Sequence, residues 1–165
     1  MPDFQGKPKA FVDQVILPAL ATLGLDPDPR AAAQLLLGTA IQESNLHFRV
    51  QLGGGPALGL FQMEPPTHDD IWANFLKFNP GLGTKVASFL GGDGPSADAL
   101  ENNDLYAAAM TRALYRRVPA PLPAADDIAG MGDYWKAHYN TPQGAGTAQE
   151  FIDHYQQLVQ GNFPQ

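Results

Sequence analysis

Apolar residues recur at helical spacing along most of the chain, and stretches rich in glycine and proline separate these segments. Residues three or four apart lie on one face of a helix, so the spacing predicts helices that pack against a common core. The first such helix carries Phe11, Val15, Ile16, Ala19, Leu20 and Leu23. Pro18 should kink or split it, because proline lacks a backbone N–H and crowds the preceding turn. Gly24 is expected to end it.

The second predicted helix has a clear start and an apolar body. Asp28 can cap its first turn, and Pro29 suits the first helical position. The stretch from Ala31 to Ile41 is rich in strong helix formers and contains few polar side chains. This helix should therefore be buried.

Capping residues mark the start of two later helices. Thr67 and Asp70 resemble a capping box, which predicts a helix that opens at Thr67. Asn103 or Asp104 can cap another, which continues at helical spacing until Pro119 stops it. Both helices carry apolar residues on one face and should pack on the core.

The last third of the chain predicts a stiff connector and two more helices. The proline-rich stretch 119–123 should be extended, because proline fixes the backbone in that conformation. Apolar spacing from Ile128 to Trp135 predicts a helix. Thr147 and Glu150 form a Thr-x-x-Glu capping box at the start of the last one, which Gly161 is expected to end.

Two stretches contain too many glycines and prolines for an element interior, and both are predicted to be loops. They are Gly53 to Leu60 and Pro80 to Pro95. No long alternating strand and no internal repeat appear elsewhere. The sequence therefore predicts an all-α, or strongly α-dominated, fold with Gly/Pro-rich loops. At 165 residues the chain suits one domain spanning residues 1–165.

The composition argues against several classes of function. Hydrophobic residues make up 44% of the chain, but no apolar run approaches the roughly 20 residues of a membrane span. The first ten residues lack the features of a secretory signal, so export would need another route. A formal net charge of -7 argues against a nucleic-acid partner. With no cysteine and four histidines outside any ligand spacing, no metal or cofactor is expected.

Glu43 is the principal candidate for chemistry. Leu36, Ala40 and Glu43 follow at i, i+4 and i+7, which places the carboxyl on the apolar stripe of the second helix. Partial burial there should raise its pKa above the ordinary value, and a carboxyl protonated near neutrality can donate a proton to a leaving glycosidic oxygen. The alternative is a helix-end glutamate bonded to a nearby backbone group.

Three blocks together resemble the lytic transglycosylases and the related goose-type lysozymes. They are the Glu-Ser pair at 43–44, the Gly-Leu-Phe-Gln-Met run at 59–63, and the Tyr-Asn block that opens the stretch 139–146. The residues Tyr-Trp-Lys at 134–136 resemble the phage-encoded branch of these enzymes. The resemblance implies a lysozyme-like fold around a cleft, without cofactor or metal, that cuts peptidoglycan glycan strands between N-acetylmuramic acid and N-acetylglucosamine.

The resemblance also implies roles for individual residues. Glu43 would act as acid and then as base. Ser44 would hydrogen-bond near the scissile sugar, Gln62 would lie along the glycan, Tyr139 would point its hydroxyl at Glu43, and Asn140 would hold its loop. Tyr139 has an alternative role as a core aromatic whose hydroxyl bonds the backbone, and Gln62 also has a structural alternative. The implied substrate-binding residues are Ser44, Gly59, Phe61, Gln62, Met63, Tyr139 and Asn140.

The sequence departs from the family pattern at Thr141-Pro142, where Ala-Gly is common, and at Glu64, where an apolar residue is expected. A transglycosylase needs one carboxyl, whereas an inverting hydrolase needs a second one to activate water. Glu64, Asp69 and Asp70 are candidates. Glu64 precedes two prolines and should be extended, with its carboxylate at the start of the next helix and outside the chemistry.

The remaining alternatives concern context and the aromatic residues. A non-catalytic virion or tail component with a lysozyme-like fold is a third hypothesis. The acidic net charge favours an enzyme that a phage particle delivers to the bacterial wall, and virion or tail proteins would then be its partners.

Trp72, Phe75 and Phe78 are predicted to belong to the core, and Trp135 either to the core or to a sugar site. The glycines at 53–55 should form a mobile lip of the cleft.

Overall fold

The computed structural model describes residues 2–141 and 143–159, and within them the chain folds into helices joined by loops. The predicted all-α fold class is confirmed. In these ranges strand-like pairing is limited to two isolated bridges, Val50 with Leu58 and Leu58 with Met63. The helices are α1 (Pro8–Phe11), α2 (Leu17–Leu23), α3 (Arg30–Ser44), α4 (Pro65–Asn74), α5 (Pro80–Ala87), α6 (Ala99–Asn102), α7 (Asp104–Arg116), α8 (Ile128–His138) and α9 (Ala148–Val159).

The core is built around α3 and α7. Every residue of α3 from Ala32 to Ile41 is buried, and so is every residue of α7 from Tyr106 to Tyr115. The predicted burial of the second helix is therefore confirmed. Gly38 lets α9 approach α3, because a Cβ there would lie 2.2 Å from the ring of Phe151. The middle of α3 is thus held by close packing.

The predicted split of the first helix near Pro18 is confirmed. A π-helical segment, Val12–Ile16, separates α1 from α2, and the Leu17 N–H donates to the carbonyl of Val12 five residues earlier. The longer spacing of this hydrogen bond widens the helix just before Pro18, whose ring would crowd the preceding turn of an ordinary α-helix. Gly24 ends α2 with a left-handed φ of 64°.

The predicted start of α3 was wrong by one residue, because Pro29 is the N-cap and the helix begins at Arg30, whose N–H donates to the Asp28 carboxylate at 3.1 Å. Two other predicted helix starts are confirmed by hydrogen bonds. The Asn103 side chain accepts from the Tyr106 N–H at 3.0 Å. The Thr147 hydroxyl oxygen accepts from the Glu150 N–H at 3.1 Å. The predicted end of α9, at Gly161, lies outside the described residues.

The predicted start at Thr67 was wrong by two residues. Helix α4 begins at Pro65 and has Glu64 as its N-cap, so Thr67 lies inside the first turn. Two consecutive prolines fit this position, because their fixed φ is helical and the first turn needs no N–H. Asp70 forms no capping box and instead accepts hydrogen bonds from Asn74 and Arg117.

The predicted loop at Pro80 to Pro95 was wrong over its first two thirds. Helix α5 begins at Pro80, and a 3₁₀ turn, Ser88–Leu90, follows it. A Cβ on Gly83 would lie 3.3 Å from the Leu76 carbonyl oxygen, so this glycine permits close packing against another 3₁₀ turn, Leu76–Phe78. Burial outweighs the low helix propensity of glycine here. The predicted loop at 53–60 is confirmed.

The aromatic residues do not all lie where the sequence placed them. Phe78 is 70% exposed, so its assignment to the core was wrong. Trp72 and Phe75 pack partly buried against the core. Trp135 is 1% exposed and packs on Phe151 at 5.7 Å between ring centroids, which makes it a core residue. Of the helices described, none is long and apolar enough to cross a membrane.

Candidate active site

Glu43 lies in the last turn of α3, at the mouth of a cleft. The helix ends at Ser44, and Asn45 and Leu46 then adopt left-handed φ angles of 52° and 56°, which turn the chain sharply away. Glu43 is partly buried, and burial raises its pKa from an ordinary 4.5 to about 7. At neutral pH a large fraction of the carboxyl is thus protonated and can donate.

Ser44 ties the end of α3 to the wall of the cleft. Its side chain is 2% exposed, and its hydroxyl lies 2.6 Å from the Leu60 carbonyl oxygen and 3.0 Å from that of Ala40. With both acceptors in the backbone, the hydroxyl is not directed at the cleft. In this structure the Ser44 hydroxyl therefore joins two parts of the backbone, and its expected contact with a sugar stays a prediction.

The run at 59–63 forms a tight turn whose first position accepts only glycine. Gly59 has a φ of 77°, and a Cβ on it would lie 2.0 Å from the Leu100 carbonyl oxygen. Leu58 and Met63 exchange backbone hydrogen bonds of 3.0 and 3.2 Å across the turn. Gly59 thus shapes the site through its backbone and does not line the cleft.

The side chains that follow Gly59 divide between core and cleft. Phe61 is 1% exposed and packs on Phe11, so its expected substrate contact is replaced by a structural one. Gln62 has a φ of 49° and lines the cleft, while its Nε2 donates to the Gly59 carbonyl at 2.9 Å. Met63 is buried but reaches the cleft wall.

Tyr139 lines the cleft together with Glu43. Its hydroxyl donates to the Phe61 carbonyl at 2.5 Å, which matches the alternative reading of a backbone-bonded aromatic. Burial raises the pKa of Tyr139 well above its usual value, and the negative charge of Glu43 adds to this. Tyr139 is therefore a neutral donor that fixes the 59–63 run beside Glu43.

Tyr115 and Thr39 support this arrangement, and sequence reasoning assigned neither of them a role in the site. The Thr39 hydroxyl donates to the Leu35 carbonyl at 2.7 Å and lies 2.8 Å from the Tyr115 hydroxyl, which must then be the donor of that pair. The Tyr115 ring packs on Tyr139 at 5.6 Å. Only the helical spacing of α7, which faces Tyr115 into the core, could have indicated this.

Lys136 organises the loop that closes one side of the cleft. Its ammonium donates to the Asn140 side-chain oxygen at 2.9 Å and to the carbonyls of Gly144 and Gly146 at 2.9 and 2.8 Å. Asn140 adds a bond from its amide to the Ala145 carbonyl at 2.8 Å and lines the cleft. Sequence reasoning used Lys136 only as part of a resemblance and missed this role. Pro142, part of the same block, lies outside the described residues.

The cleft encloses about 510 Å³ between the end of α3, the segments 48–52 and 57–67, and the loop after α8. Its acidic lining residues are Glu43 and Glu64, and its described lining includes amide side chains but no lysine or arginine. A cleft of this size, with amides and without a lysine or arginine among its described lining, is poorly suited to a phosphate. Among the described residues, no group of three potential metal ligands occurs.

Glu64 has the extended backbone expected before Pro65, with φ -77° and ψ 144°. It is the N-cap of α4, at the predicted helix start, but its side chain makes no capping hydrogen bond and lines the cleft. Asp69 contacts His68 at 2.9 Å, and Asp70 pairs with Arg117 at 2.7 Å. Neither of these aspartates lines the cleft, which leaves Glu64 as the candidate second carboxylate.

A lip of exposed apolar side chains borders the cleft. Arg49 anchors its base through two hydrogen bonds to Asp104, at 2.5 and 2.9 Å. Beside this anchor, Phe48, Val50 and Leu52 are 37%, 55% and 68% exposed. The glycines that follow have positive φ angles, 83° at Gly53 and 84° at position 54.

The fold and site together define an all-α protein with a partly buried carboxyl at the mouth of an amide-lined cleft. No protein-family model, curated protein or solved structure matches the chain.

Proposed function

We propose that this protein is a lytic transglycosylase that cleaves peptidoglycan glycan strands between N-acetylmuramic acid and N-acetylglucosamine. The observation that carries the proposal is Glu43, a carboxyl whose pKa is raised to about 7 by burial and which opens into a cleft without lysine or arginine among its described lining. The resemblance of three sequence blocks to transglycosylases supports the same reading. The partners would be the glycan strands of the wall.

In the proposed reaction Glu43 acts first as an acid. It donates its proton to the glycosidic oxygen as the bond between that oxygen and the anomeric carbon of muramic acid breaks. The 6-hydroxyl oxygen of the same muramic acid then bonds to the anomeric carbon, and its proton passes to the Glu43 carboxylate. Glu43 is thus restored, no water is consumed, and the product carries a 1,6-anhydro end.

The other cleft residues would hold the substrate in place. Gln62 and Asn140 carry amides at the cleft wall, and amides can donate to and accept from N-acetyl substituents. Tyr139 and Ser44 would act indirectly, because their hydroxyls fix the 59–63 run to the protein. Such positioning makes the reaction effectively intramolecular.

A hydrolytic muramidase is a second candidate, and one observation favours it. Glu64 lines the same cleft as Glu43 and forms no capping bond. In an inverting hydrolase a second carboxylate would activate water on the opposite face of the sugar, with the two carboxyls about 6.5 to 9.5 Å apart. The product would then carry a reducing end.

The biological setting proposed is a phage particle that delivers the enzyme to the bacterial wall or periplasm. The net charge of -7 gives no long-range attraction to an anionic wall, so delivery in place suits the chain better than diffusion from solution. Virion or tail proteins would be its further partners. A non-catalytic virion component is the third alternative.

Turnover of purified peptidoglycan tests the proposal. Wild type and Glu101→Gln, a matched change outside the cleft, should release soluble fragments, and Glu43→Gln should release almost none while keeping its fold. Mass spectrometry should find anhydro ends, which are one water lighter than reducing ends. Equal turnover by Glu43→Gln would overturn the role of Glu43 as the acid, and no turnover by any variant would overturn the enzyme reading.

A further inference from the structure

A second hollow of about 550 Å³ adjoins the cleft at the end of α3. Its walls come from the α3 terminus, including Gln42 and Asn45, and from α9, including His154 and Gln157. The His154 Nδ1 lies 2.7 Å from the Gln42 side-chain oxygen and joins the two helices. Like the cleft, this hollow has amides and no lysine or arginine in its described lining.

The cleft and the second hollow share three lining residues, Glu43, Phe48 and Leu52. The two concavities therefore meet beside the candidate acid. A polymer that reaches Glu43 through the cleft can continue into the second hollow without leaving the surface. A glycan strand is such a polymer, because it extends in both directions from the linkage that is cut.

Phe48 is the aromatic residue at this junction. Its backbone is fixed, since its N–H donates to the Ser44 carbonyl at 3.1 Å. Its side chain is nevertheless 37% exposed, and Leu52 beside it is 68% exposed. The Phe48 ring packs edge-on against the His47 ring, with the centroids 4.8 Å apart, and stays partly open to solvent. It therefore offers an apolar surface that contact with a sugar ring would bury.

We propose that Phe48 is the platform on which a sugar ring packs where one glycan strand passes from the cleft into the second hollow, so that sugars on both sides of the cleaved linkage are held. This inference rests on the proposed function. Its consequence is cleavage within strands and a preference for oligomers long enough to fill both hollows. Gln157 would contact the part of the strand that occupies the second hollow.

The chain offers a matched control for each residue of this proposal. Phe78 is an exposed phenylalanine that lines neither hollow, so Phe78→Ala makes the same truncation elsewhere. Gln156 and Gln157 are exposed neighbours on α9, and of the two Gln157 lines the second hollow. Both substitutions and their controls leave the core untouched.

Binding is measured by calorimetry in the Glu43→Gln background, which prevents turnover. The probes are peptide-free oligomers of alternating N-acetylglucosamine and N-acetylmuramic acid with two to eight sugars, and stem peptide alone. Phe48→Ala and Gln157→Ala should weaken binding of the longest oligomers by roughly two- to tenfold and of disaccharides hardly at all. Phe78→Ala and Gln156→Ala should match the parent, and Phe48→Tyr should keep the affinity because the ring remains.

The outcomes separate this inference from the proposed function. If wild type cleaves the wall but Phe48→Ala and Gln157→Ala bind every oligomer as their controls do, the platform is absent and the transglycosylase assignment stands. Binding of stem peptide and not of oligomers would also overturn the inference. If Phe48→Ala unfolds, Phe48→Leu, which keeps apolar bulk without a ring, replaces it. Equal turnover by wild type and Glu43→Gln would overturn the role of Glu43 as the acid, and no turnover by any variant would overturn the proposed function itself.

Discussion

The hydroxyl of Ser44 lies 2.6 Å from the carbonyl oxygen of Leu60, and this contact joins the end of α3 to the run at 59–63. The bond is buried, so its loss would leave a carbonyl without this donor in a place where water has little access. Ser44 is therefore a residue whose removal should first affect stability and then the geometry of the cleft.

Ser44→Ala should lower the free energy of unfolding by about 1 to 3 kcal/mol, the cost of a buried group that loses its partner. Ser88→Ala is the control, because the Ser88 hydroxyl makes an equally short bond of 2.6 Å to the Lys85 carbonyl in an exposed position. Denaturant unfolding measures both. Equal losses in the two variants would contradict the role given to burial.

Gly59→Ala should destabilise the protein by several kcal/mol, since the new Cβ would lie 2.0 Å from the Leu100 carbonyl oxygen at a left-handed φ. Gly53→Ala shares the left-handed φ but meets no atom within 4 Å, so it should cost only about 1 kcal/mol. Thermal unfolding of the two variants separates steric conflict from backbone strain. A loss in Gly59→Ala no larger than in Gly53→Ala would show that the 59–63 turn relaxes freely.

Glu43 should make both stability and activity depend on pH. Its folded pKa of about 7 lies above the ordinary 4.5, so the folded state binds an extra proton between these values. The contribution of Glu43 to the free energy of unfolding is then greatest below pH 4.5 and falls as pH rises to about 7, by roughly 3 kcal/mol. Glu43→Gln lacks this titration and should be more stable than wild type at pH 8.

The same titration predicts the pH profile of the reaction. Because the proposed mechanism needs the acid form of Glu43 in its first step, kcat/KM should fall as pH rises through about 7. Glu101→Gln, which leaves the cleft unchanged, should keep the wild-type profile. A rate that rises through pH 7, or a Glu43→Gln variant no more stable than wild type at pH 8, would count against the burial and the acid role.

Lys136→Met should raise KM more than it changes kcat. The Lys136 ammonium holds three acceptors of the loop after α8, and this loop places Asn140 at the cleft wall. Loss of the ammonium group should allow the loop after α8 to adopt other conformations without moving Glu43. Steady-state kinetics on soluble glycan fragments measure the effect, with Lys77→Met as the exposed control. A fall in kcat alone would indicate a different role.

The sequence predicted the elements whose information is local. The buried body of α3, the break at Pro18 and the caps at Asn103 and Thr147 each depend on residues within one or two turns. The prediction of a loop failed at α5. It relied on the number of glycines in the stretch, whereas Gly83 is small enough for one side of the helix to pack closely in the structure. Helix propensity is a weak guide where tertiary contacts decide.

The site was only partly predictable for the same reason. The position of Glu43 on an apolar stripe predicted its burial, and the structure shows that burial with a raised pKa. By contrast, the bonds from Ser44 to Leu60 and from Tyr139 to Phe61 join residues 16 and 78 positions apart. Spacing along the chain cannot reveal which backbone carbonyls these two hydroxyls bond.

Glu64 provides the last prediction, because it decides between the two glycan-cleaving mechanisms. Its carboxylate lines the cleft together with Glu43, and its extended backbone is set by the two prolines that follow. In the proposed transglycosylase the attacking oxygen belongs to the muramic acid itself, so no second carboxylate has to remove a proton from water.

Glu64→Gln should therefore keep cleavage within a few-fold of wild type and leave 1,6-anhydro ends, as read by mass spectrometry of the products. Glu101→Gln provides the comparison for removal of one negative charge outside the cleft. An inverting hydrolase needs its base in every turnover, so in that case Glu64→Gln would lose most of its activity while remaining folded. Reducing ends from wild type together with that loss would replace the transglycosylase by a hydrolytic muramidase, with Glu43 as acid and Glu64 as base.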